Sequence, residues 1–407
     1  MATSIDQYTI SVPESDIQKL NDKLDSAIFP DELDDAKWDY GSPLNDIQRL
    51  TKYWRHDFDW RIAEEKLNKL PHFVTPIQCE GYETLKIHFL HKKSTVKGAI
   101  PLIFVHGWPG NFLEATKIID SLSSAKDGQV SFHVVAPSLP NFGFSEGTKK
   151  RGFAIEQYAE TMHKLMLRLG YDKYVTQGGD WGWSITRAMS LLYPQHCKAT
   201  HLNMDVGQPP TVLKHPLLAV EAALRPLSER KKRDIARSEW FDREGFGYNI
   251  QQRTKPQTLA YGLADSPVAL LGWIYEKLHD WTDEYPWTDE EVCTWISIYW
   301  FSTAGPAASC RIYHETGRSG PWGQRLTRDL LMQWQPVKIG LSHFPRDIHV
   351  LDPTWTRTQG NCVFEQDHTS GGHFAAWERP EDIVSDLREM FGKRGGAYGV
   401  IDGKDGY

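Results

Sequence analysis

One aspartate stands in a turn whose residue types suit nucleophilic chemistry. The run Gly178-Gly179-Asp180-Trp181-Gly182 follows a short β-branched and aromatic segment and precedes an apolar segment of helical character. Small residues on both sides of a functional side chain allow a sharp strand-to-helix turn, which places that side chain above a helix N-terminus. Asp180 therefore has the position of a nucleophile, with a carboxylate as the attacking group. The alternative for this motif alone is a glycine-rich turn whose aspartate caps the helix.

Two further titratable residues follow predicted strands later in the chain. Asp347 lies in a turn after segment 337–341, and His373 lies in a glycine-rich run after segment 361–364. The chain order is then nucleophile, acid and histidine, where the histidine is the general base and the acid orients it. The alternatives are a turn-capping carboxylate for Asp347, with Asp352 as a competitor nearby, and a partly buried histidine for His373.

The loop after the apolar segment 101–105 reads His106-Gly107-Trp108-Pro109-Gly110. In α/β-hydrolase folds the loop at this position supplies one N–H to the oxyanion hole, and glycine lets the backbone approach a substrate closely. We therefore expect the backbone N–H groups of Trp108 and Trp181 to form an oxyanion hole. His106 and Pro109 of the same loop are expected to contact the substrate. The alternative for the His-Gly-x-Pro pattern is an ordinary strand-to-helix turn.

A sheet is needed to bring these strand ends together. Segments typical of buried strands alternate with helical segments from residue 101 to residue 203, and strand segments return after residue 336. This alternation predicts the α/β class with a mostly parallel, doubly wound sheet and the α/β-hydrolase fold. Between the two groups of strands, aromatic helical segments predict a helical cap inserted on the sheet. The expected parts are an N-terminal helical extension (1–98), the core (99–204 and 333–407) and the cap segment (205–332).

The N-terminal extension has helical and strand patterns without residues suited to chemistry. Ser15-Asp16-Ile17-Gln18 fits a capping box that opens a helix, with Ile17, Leu20, Leu24 and Ile28 on one face. Alternation of apolar and polar residues over 85–89 predicts one half-buried strand.

Composition argues against several classes of protein. The 407 residues are 40% hydrophobic and 24% charged, with a formal net charge of −7 and no long basic run, so nucleic acid is not an expected partner. The five cysteines are widely spaced without a CxxC pair, which predicts reduced thiols and neither a zinc site nor disulfides. The first residues lack a signal-peptide pattern and no apolar stretch is long enough to span a membrane. A cytoplasmic protein without a membrane anchor is therefore expected.

Taken together, the motifs resemble those of the microsomal-type epoxide hydrolases, including their soluble fungal members. The resemblance covers nearly the whole chain and implies Asp180 as nucleophile, His373 as base and Asp347 as the orienting acid. Residues 1–98 resemble the meander of that family, which wraps the cap and the main domain. The residues that carry the resemblance are His106-Gly107-Trp108-Pro109-Gly110, Gly178-Gly179-Asp180-Trp181-Gly182, Thr254-Lys255-Pro256-Gln257-Thr258, Asp265-Ser266-Pro267, Phe344-Pro345-x-Asp347 and Gly371-Gly372-His373-Phe374.

The same resemblance implies two cap tyrosines that hold the epoxide oxygen. Tyr248 and Tyr313 match these positions, although core packing is the alternative for either one among sixteen tyrosines. The chain departs from the family at Asn141, where glycine is usual, and no N-terminal anchor helix like that of the membrane-bound members is expected. The second departure implies a soluble enzyme.

The expected function is hydrolysis of a small-molecule epoxide to a vicinal diol, without a metal or an organic cofactor. Carboxylate attack on the strained carbon forms an ester, the two tyrosine hydroxyls donate to the epoxide oxygen, and water activated by His373 cleaves the ester. A homodimer is the candidate assembly. The alternatives are a haloalkane dehalogenase-like hydrolase, which uses the same triad, and a non-catalytic ligand-binding protein on the same fold. The epoxide itself is left open among xenobiotics, lipids and biosynthetic intermediates.

Overall fold

The computed structural model describes residues 4–124, 128–317 and 328–407. In these residues nine strands form one sheet. The strands are β1 (Asp6–Gln7), β2 (His72–Gln78), β3 (Thr84–Lys92), β4 (Ile100–Val105), β5 (Phe132–Pro137), β6 (Tyr174–Gly178), β7 (Cys197–Leu202), β8 (Gln335–His343) and β9 (Gly360–Asp367).

The sheet is antiparallel at one end and parallel over the rest of its width. The strand order is β1-β2-β3-β5-β4-β6-β7-β8-β9. β1, β2 and β3 run antiparallel to their neighbours, and all pairs from β5 to β9 are parallel. Every residue of the central strands β4 and β6 is buried, as expected for parallel strands covered on both faces. The carboxyl ends of these parallel strands lie at one edge, which is where an α/β sheet places its site.

Helices precede, interrupt and follow the parallel strands. Before the cap segment they are α1 (Glu14–Asp25), α2 (Leu44–His56), α3 (Trp60–Leu67), α4 (Ile119–Ser123), α5 (Ile155–Arg168) and α6 (Asp180–Leu192). Within the cap segment they are α7 (Pro216–Leu224), α8 (Glu229–Trp240), α9 (Gly247–Thr254), α10 (Pro256–Asp265), α11 (Pro267–Asp280), α12 (Asp289–Trp300), α13 (Arg311–Thr316) and α14 (Arg328–Leu331). After it they are α15 (Pro353–Thr356), α16 (Ala375–Glu378) and α17 (Pro380–Phe391). No helix in the described residues has both the length and the apolar character needed to cross a membrane.

The described part of the cap segment consists of helices joined by turns and loops, and it is inserted between β7 and β8. Residues 318–327 of the segment lie outside the described residues. Helices of the N-terminal part pack on this segment. Trp54 of α2 is buried, and its Nε1 donates a hydrogen bond to Ser297 Oγ of α12 at 3.0 Å. Ser42 Oγ donates to the carbonyl of Gly272 in α11, also at 3.0 Å, so the N-terminal helices are anchored to the cap.

Two features of the first 98 residues differ from the sequence pattern. Helix α1 begins at Glu14, and its N-cap is Pro13, which makes no side-chain capping bond, so Ser15 does not open a capping box. Pro13 lies just outside the helix, with φ −57° and an extended ψ of 140°, and the first helical residue is therefore Glu14, one residue before Ser15. Ile28 lies beyond the helix end and is 91% exposed. In addition, β1 and β2 join β3 in the central sheet, although Pro76 within β2 argues against a strand on sequence grounds.

Candidate active site

Asp180 is held at the turn between β6 and α6. Its φ is +50°, a left-handed conformation that is uncommon for a residue with a side chain. The turn requires glycine at position 182, because a Cβ there would lie 1.9 Å from the backbone oxygen of Val105. Asp180 is the first residue of α6, so its carboxylate is close to the positive end of the helix dipole. The fold thus presents a carboxylate on a tight turn at the carboxyl edge of the sheet.

The loop after β4 contacts this carboxylate directly. The backbone N–H of Trp108 donates a hydrogen bond to Asp180 Oδ1 at 2.7 Å. A Cβ at Gly107 would lie 2.1 Å from the same oxygen, so glycine is needed for the close approach. Trp181 is the second residue of α6, and the N–H groups of a first helical turn have no partner inside the helix. Both N–H groups assigned to the oxyanion hole therefore belong to backbone next to Asp180.

His373 lies between two carboxylates. Its Nδ1 is 2.6 Å from Asp347 Oδ1, and its Nε2 is 3.5 Å from Asp180 Oδ2. Burial disfavours the charged imidazolium, but the charges of Asp347 and Asp180 outweigh burial and raise the pKa of His373 to about 10. The free site therefore holds an imidazolium at neutral pH.

Loop geometry decides which carboxylate faces His373. Asp347 Oδ1 also accepts a hydrogen bond from the N–H of Ile348 at 2.7 Å, which fixes the carboxylate toward the ring. Asp352, the competitor in the sequence, instead caps α15 through the N–H of Thr354 and pairs with Lys231 at 2.9 Å. Asp347 is thus the carboxylate beside Nδ1.

Two cap tyrosines lie in one aromatic cluster with the loop after β4. Tyr248 of α9 stacks on Trp108 with a centroid separation of 5.2 Å, and Tyr313 of α13 meets the edge of the same ring at 5.7 Å. Burial, reinforced by the Asp180 charge, raises the pKa of both phenols above the ordinary value, so both hydroxyls are protonated. The Tyr313 hydroxyl is buried and makes no hydrogen bond of normal geometry among the described residues, although the side chains of Tyr248 and Trp181 lie close enough to affect its pKa. A buried hydroxyl without a partner is free to donate to a ligand.

Comparison with known proteins identifies the family. Residues 5–115 match the family described as epoxide hydrolase N terminus, and residues 100–234 match the alpha/beta hydrolase fold family. Epoxide hydrolase 1 of Sus scrofa is 33% identical over 418 residues, which cover 96% of this chain and 89% of that protein. The chain belongs to the epoxide hydrolase family. It is a hydrolase, and the predicted α/β-hydrolase fold and the family resemblance are confirmed.

Solved structures of epoxide hydrolases agree with this placement. The epoxide hydrolase of Aspergillus niger superposes with a TM-score of 0.80 at 33% identity, covering 94% of this chain and 95% of that one. The juvenile hormone epoxide hydrolase of the silkworm Bombyx mori superposes with a TM-score of 0.83 at 30% identity, covering 95% and 93%. The match therefore extends over nearly the whole epoxide hydrolase, including the cap segment.

The two residues of this epoxide hydrolase expected to contact substrate have partners within the protein. The ring of His106 is buried, with Nδ1 2.8 Å from the carbonyl of Gly107, and its Nε2 accepts a hydrogen bond from the N–H of Leu139 at 3.2 Å. The carbonyl of Pro109 accepts a hydrogen bond from Trp295 Nε1 of α12 at 2.7 Å. These contacts hold the loop in place, and a substrate contact of the His106 nitrogens would have to replace one of them.

The sequence analysis missed two residues of the site, Trp281 and Glu114. Trp281 follows α11, and its carbonyl accepts a hydrogen bond from the backbone N–H of His373 at 2.7 Å. Its indole ring meets the His373 imidazole edge-on at a centroid distance of 5.0 Å. It is one of sixteen tryptophans in the chain. Glu114 is a buried acid in an otherwise apolar turn beside the site, and an acidic residue in a buried run is the signal that sequence inspection could have used. In the described part of the chain, no group of three or more His, Cys, Asp or Glu side chains is arranged to hold a metal ion.

Proposed function

We propose that this enzyme hydrolyses small-molecule epoxides through a covalent ester on Asp180. The observation that supports the proposal is that the two Asp180 oxygens have different neighbours. Oδ1 accepts the Trp108 N–H at 2.7 Å, and Oδ2 faces His373 Nε2 at 3.5 Å. One oxygen is therefore fixed where an oxyanion would be stabilised, and the other is left for attack on carbon.

Ester formation begins with attack of the free carboxylate oxygen on an epoxide carbon. The new C–O bond forms as the ring C–O bond breaks, and negative charge develops on the epoxide oxygen. Tyr248 and Tyr313 are supported as donors to that oxygen because both phenols are buried and protonated near Asp180. Donors aimed at developing charge in a buried site lower the barrier by stabilising the transition state.

The charge change at Asp180 prepares His373 to act as base. The ester is neutral, so His373 loses one of the two carboxylates that hold its proton, and its pKa must fall from about 10. The proton that the imidazolium releases balances the proton taken up by the new hydroxyl group. Neutral His373, oriented by Asp347, can then accept a proton from water.

Water attack on the ester carbonyl completes the cycle. The tetrahedral oxyanion lies at Oδ1, within reach of the Trp108 N–H and next to that of Trp181. Collapse breaks the bond to the alkyl group and releases a vicinal diol. One proton of the water remains with His373 and the other balances the diol, so the starting imidazolium and carboxylate are restored.

Paired tyrosines favour an epoxide over a haloalkane as the substrate. A leaving halide carries its own charge and needs no protonation, whereas an opened epoxide oxygen does. Aromatic rings around Asp180 suit nonpolar epoxides, since Trp181 meets Tyr313 edge-on at 4.8 Å and Trp281 lies 5.1 Å from Tyr248. Turnover of an aryl epoxide without turnover of a chlorinated alkane would support this choice.

A single-turnover oxygen-labelling experiment tests the covalent route. Enzyme in excess over an aryl epoxide reacts in ¹⁸O-water, and both the diol and the peptide that contains Asp180 are analysed by mass spectrometry. The proposal requires unlabelled diol and a labelled Asp180 peptide, because water oxygen enters at the carboxylate. Labelled diol with an unlabelled peptide would mean that water opens the ring directly. The Asp180→Asn variant is the matched control and should give neither product nor label.

A further inference from the structure

Arg237 joins the two backbone segments that contact the His373 loop, and the proposed mechanism gives it no role. It lies near the end of α8 in the cap. Its Nε donates a hydrogen bond to the carbonyl of Asp347 at 2.8 Å. One terminal nitrogen donates to the carbonyls of Asp280 at 2.8 Å and Arg346 at 3.1 Å. A single cap side chain therefore connects the loop of the proposed acid to the last residue of α11.

The two connected segments lie on either side of the loop that carries His373. Trp281 directly follows α11, and its carbonyl accepts the backbone N–H of His373 at 2.7 Å. On the other side, the N–H of Arg346 donates to the carbonyl of Gly371 at 3.0 Å. A Cβ at Gly372 would lie 2.5 Å from the Trp281 carbonyl oxygen and 3.1 Å from that of Arg346, so the loop fits tightly between the two segments.

We propose that Arg237 is a positioning residue for the base, whose hydrogen bonds hold these two segments together so that Asp347 stays on Nδ1 of His373. The proposal rests on the covalent mechanism proposed above, in which His373 activates the water that cleaves the ester. Arg237 acts through Asp347 and His373 and not by contact with the reacting atoms.

A guanidinium suits carbonyl acceptors that belong to different segments. Its N–H donors form a rigid planar fork, and it has no acceptor of its own. Among the described residues Arg237 forms no ion pair, so its donors serve backbone carbonyls. The group lies over the Trp240 ring at 4.5 Å, which restricts its plane. Burial lowers the pKa of Arg237 to about 10, with the Asp347 charge opposing that change, so the group is a cation at neutral pH.

Loss of these hydrogen bonds should affect one step of the reaction more than the other. Ester cleavage needs the contact between Asp347 and Nδ1 of His373, 2.6 Å long, because this contact orients the ring toward water. Ester formation depends on Asp180 and the two cap tyrosines, to which Arg237 makes no hydrogen bond in the described structure. A loosened acid and base should therefore slow cleavage while formation continues.

Arg187 of α6 supplies a matched control at the opposite edge of the sheet. Its guanidinium also donates to three backbone carbonyls, those of Leu331 at 2.9 Å, Gln333 at 2.8 Å and Gln359 at 3.0 Å. These carbonyls precede β8 and β9, whereas His373 follows the carboxyl end of β9. Removal of Arg187 should therefore lower stability without affecting the base.

The kinetic test compares Arg237→Met with Arg187→Met, since both remove the donors and keep a side chain of similar length. Rapid-quench mass spectrometry of the intact protein follows the Asp180 ester during a single turnover of styrene oxide. In Arg237→Met, ester cleavage should slow by about tenfold or more while ester formation stays within about threefold of wild type. In the steady state kcat and KM should fall together. Arg187→Met should unfold at a lower temperature and keep both rates within about threefold of wild type.

Proton NMR of the folded enzyme at neutral pH reports the position of Asp347 without the reaction. A short hydrogen bond from an imidazolium to a carboxylate moves the Nδ1 proton signal far downfield, and this bond is 2.6 Å long in His373. The signal should move upfield or broaden in Arg237→Met and stay unchanged in Arg187→Met. Arg237→Gln should resemble Arg237→Met, because its shorter amide cannot reach carbonyls of both segments, and it carries the test if the Met variant does not fold.

Several outcomes would overturn the role of Arg237. These are wild-type ester cleavage in the folded Arg237 variants, equal slowing of both steps, and an Arg187→Met variant with the same slow cleavage or the same displaced signal. If the wild-type enzyme forms no ester, the covalent mechanism fails. If the ester forms and the Arg237 variants cleave it normally, only the role of Arg237 fails.

Discussion

His373 Nε2 lies 3.5 Å from Asp180 Oδ2, which places the proposed base directly opposite the proposed nucleophile. The other nitrogen of the ring is tied to Asp347 at 2.6 Å. An imidazolium between two carboxylates is stable, and neutralising either carboxylate weakens its hold on the proton. The geometry thus couples the charge of Asp180 to the protonation of His373.

Asp180→Asn should lose nearly all epoxide hydrolysis while keeping the fold. Asparagine has the same shape and can still accept the Trp108 N–H through its carbonyl oxygen, but it is not a nucleophile. Freshly prepared protein should be assayed for diol formation, with circular dichroism as the check on folding, because slow deamidation would regenerate aspartate. Turnover close to wild type in intact variant protein would remove Asp180 from the role.

Tyr248→Phe and Tyr313→Phe should each slow ester formation by about 2–4 kcal/mol, the usual effect of losing one oxyanion-type donor. The double variant should be slower than either single variant, since one hydroxyl can partly replace the other. Stopped-flow rates of Asp180 alkylation measure this step. Tyr275→Phe, which changes a tyrosine of α11 outside the ring cluster around Asp180, is the matched control. Unchanged alkylation in the double variant would leave the epoxide oxygen without its proposed donors.

Cleavage of the ester should accelerate as pH rises, because His373 must be neutral to act as base. The midpoint should lie below about 10, the pKa of His373 in the free site, since the ester has removed the Asp180 charge. Asp347→Asn removes the second charge and should lower the midpoint further. Rates of ester cleavage in single turnovers across pH 5 to 10 give the profile. A midpoint at or above about 10 would contradict the coupling between the two groups.

Gly182→Ala should destabilise the protein and impair ester formation together. The added Cβ would lie 1.9 Å from the backbone oxygen of Val105, so the turn that carries Asp180 must shift. Such overpacking commonly costs about 1–3 kcal/mol. Gly262→Ala in α10 meets no atom within 4 Å and should be neutral or stabilising by up to about 1 kcal/mol. Gly182→Ala should therefore unfold at a lower temperature and form the ester more slowly than Gly262→Ala. Equal unfolding temperatures and equal alkylation rates in the two variants would contradict the steric argument.

A buried ion pair outside the active site should make stability depend on pH. His343 lies 2.5 Å from Asp205, and although burial lowers its pKa, the charges of Asp205 and Glu365 raise it to about 10. In an unfolded chain histidine titrates near about 6.5, so the folded state binds the proton more tightly. This stabilisation is fully present below about pH 6.5 and is lost as pH rises through about 10. Denaturant unfolding of wild type and His343→Gln should differ most at low pH and converge as pH approaches 10. A difference that grows with pH would show that the pair has the opposite linkage.

Local patterns in the chain were sufficient to predict most strands of the sheet. The strands β3 to β9 coincide with apolar or alternating segments because a buried strand needs such residues whatever its neighbours are. The sharp turn at Asp180 is also a local feature. The glycines adjacent to Asp180 in the sequence are enough to predict it, without knowledge of any distant contact. The sequence did not predict β2. Pro76 disfavours a strand locally, whereas pairing with β3 stabilises the strand in the folded protein.

Contacts between distant residues were decided only by the tertiary structure. Asp347 and Asp352 lie five positions apart in the sequence. The path of the backbone after β8 directs the Asp347 carboxylate to His373 and the Asp352 carboxylate to Lys231. Glu114 and Asp180 line one cavity although they are 66 positions apart in the sequence, and no local periodicity predicts that proximity. Secondary-structure propensity and hydrophobic pattern depend on a few neighbouring residues. Contacts between side chains of different loops depend on how whole helices and strands pack. The sequence therefore determined the type and order of most elements, and packing determined which side chains meet at the site.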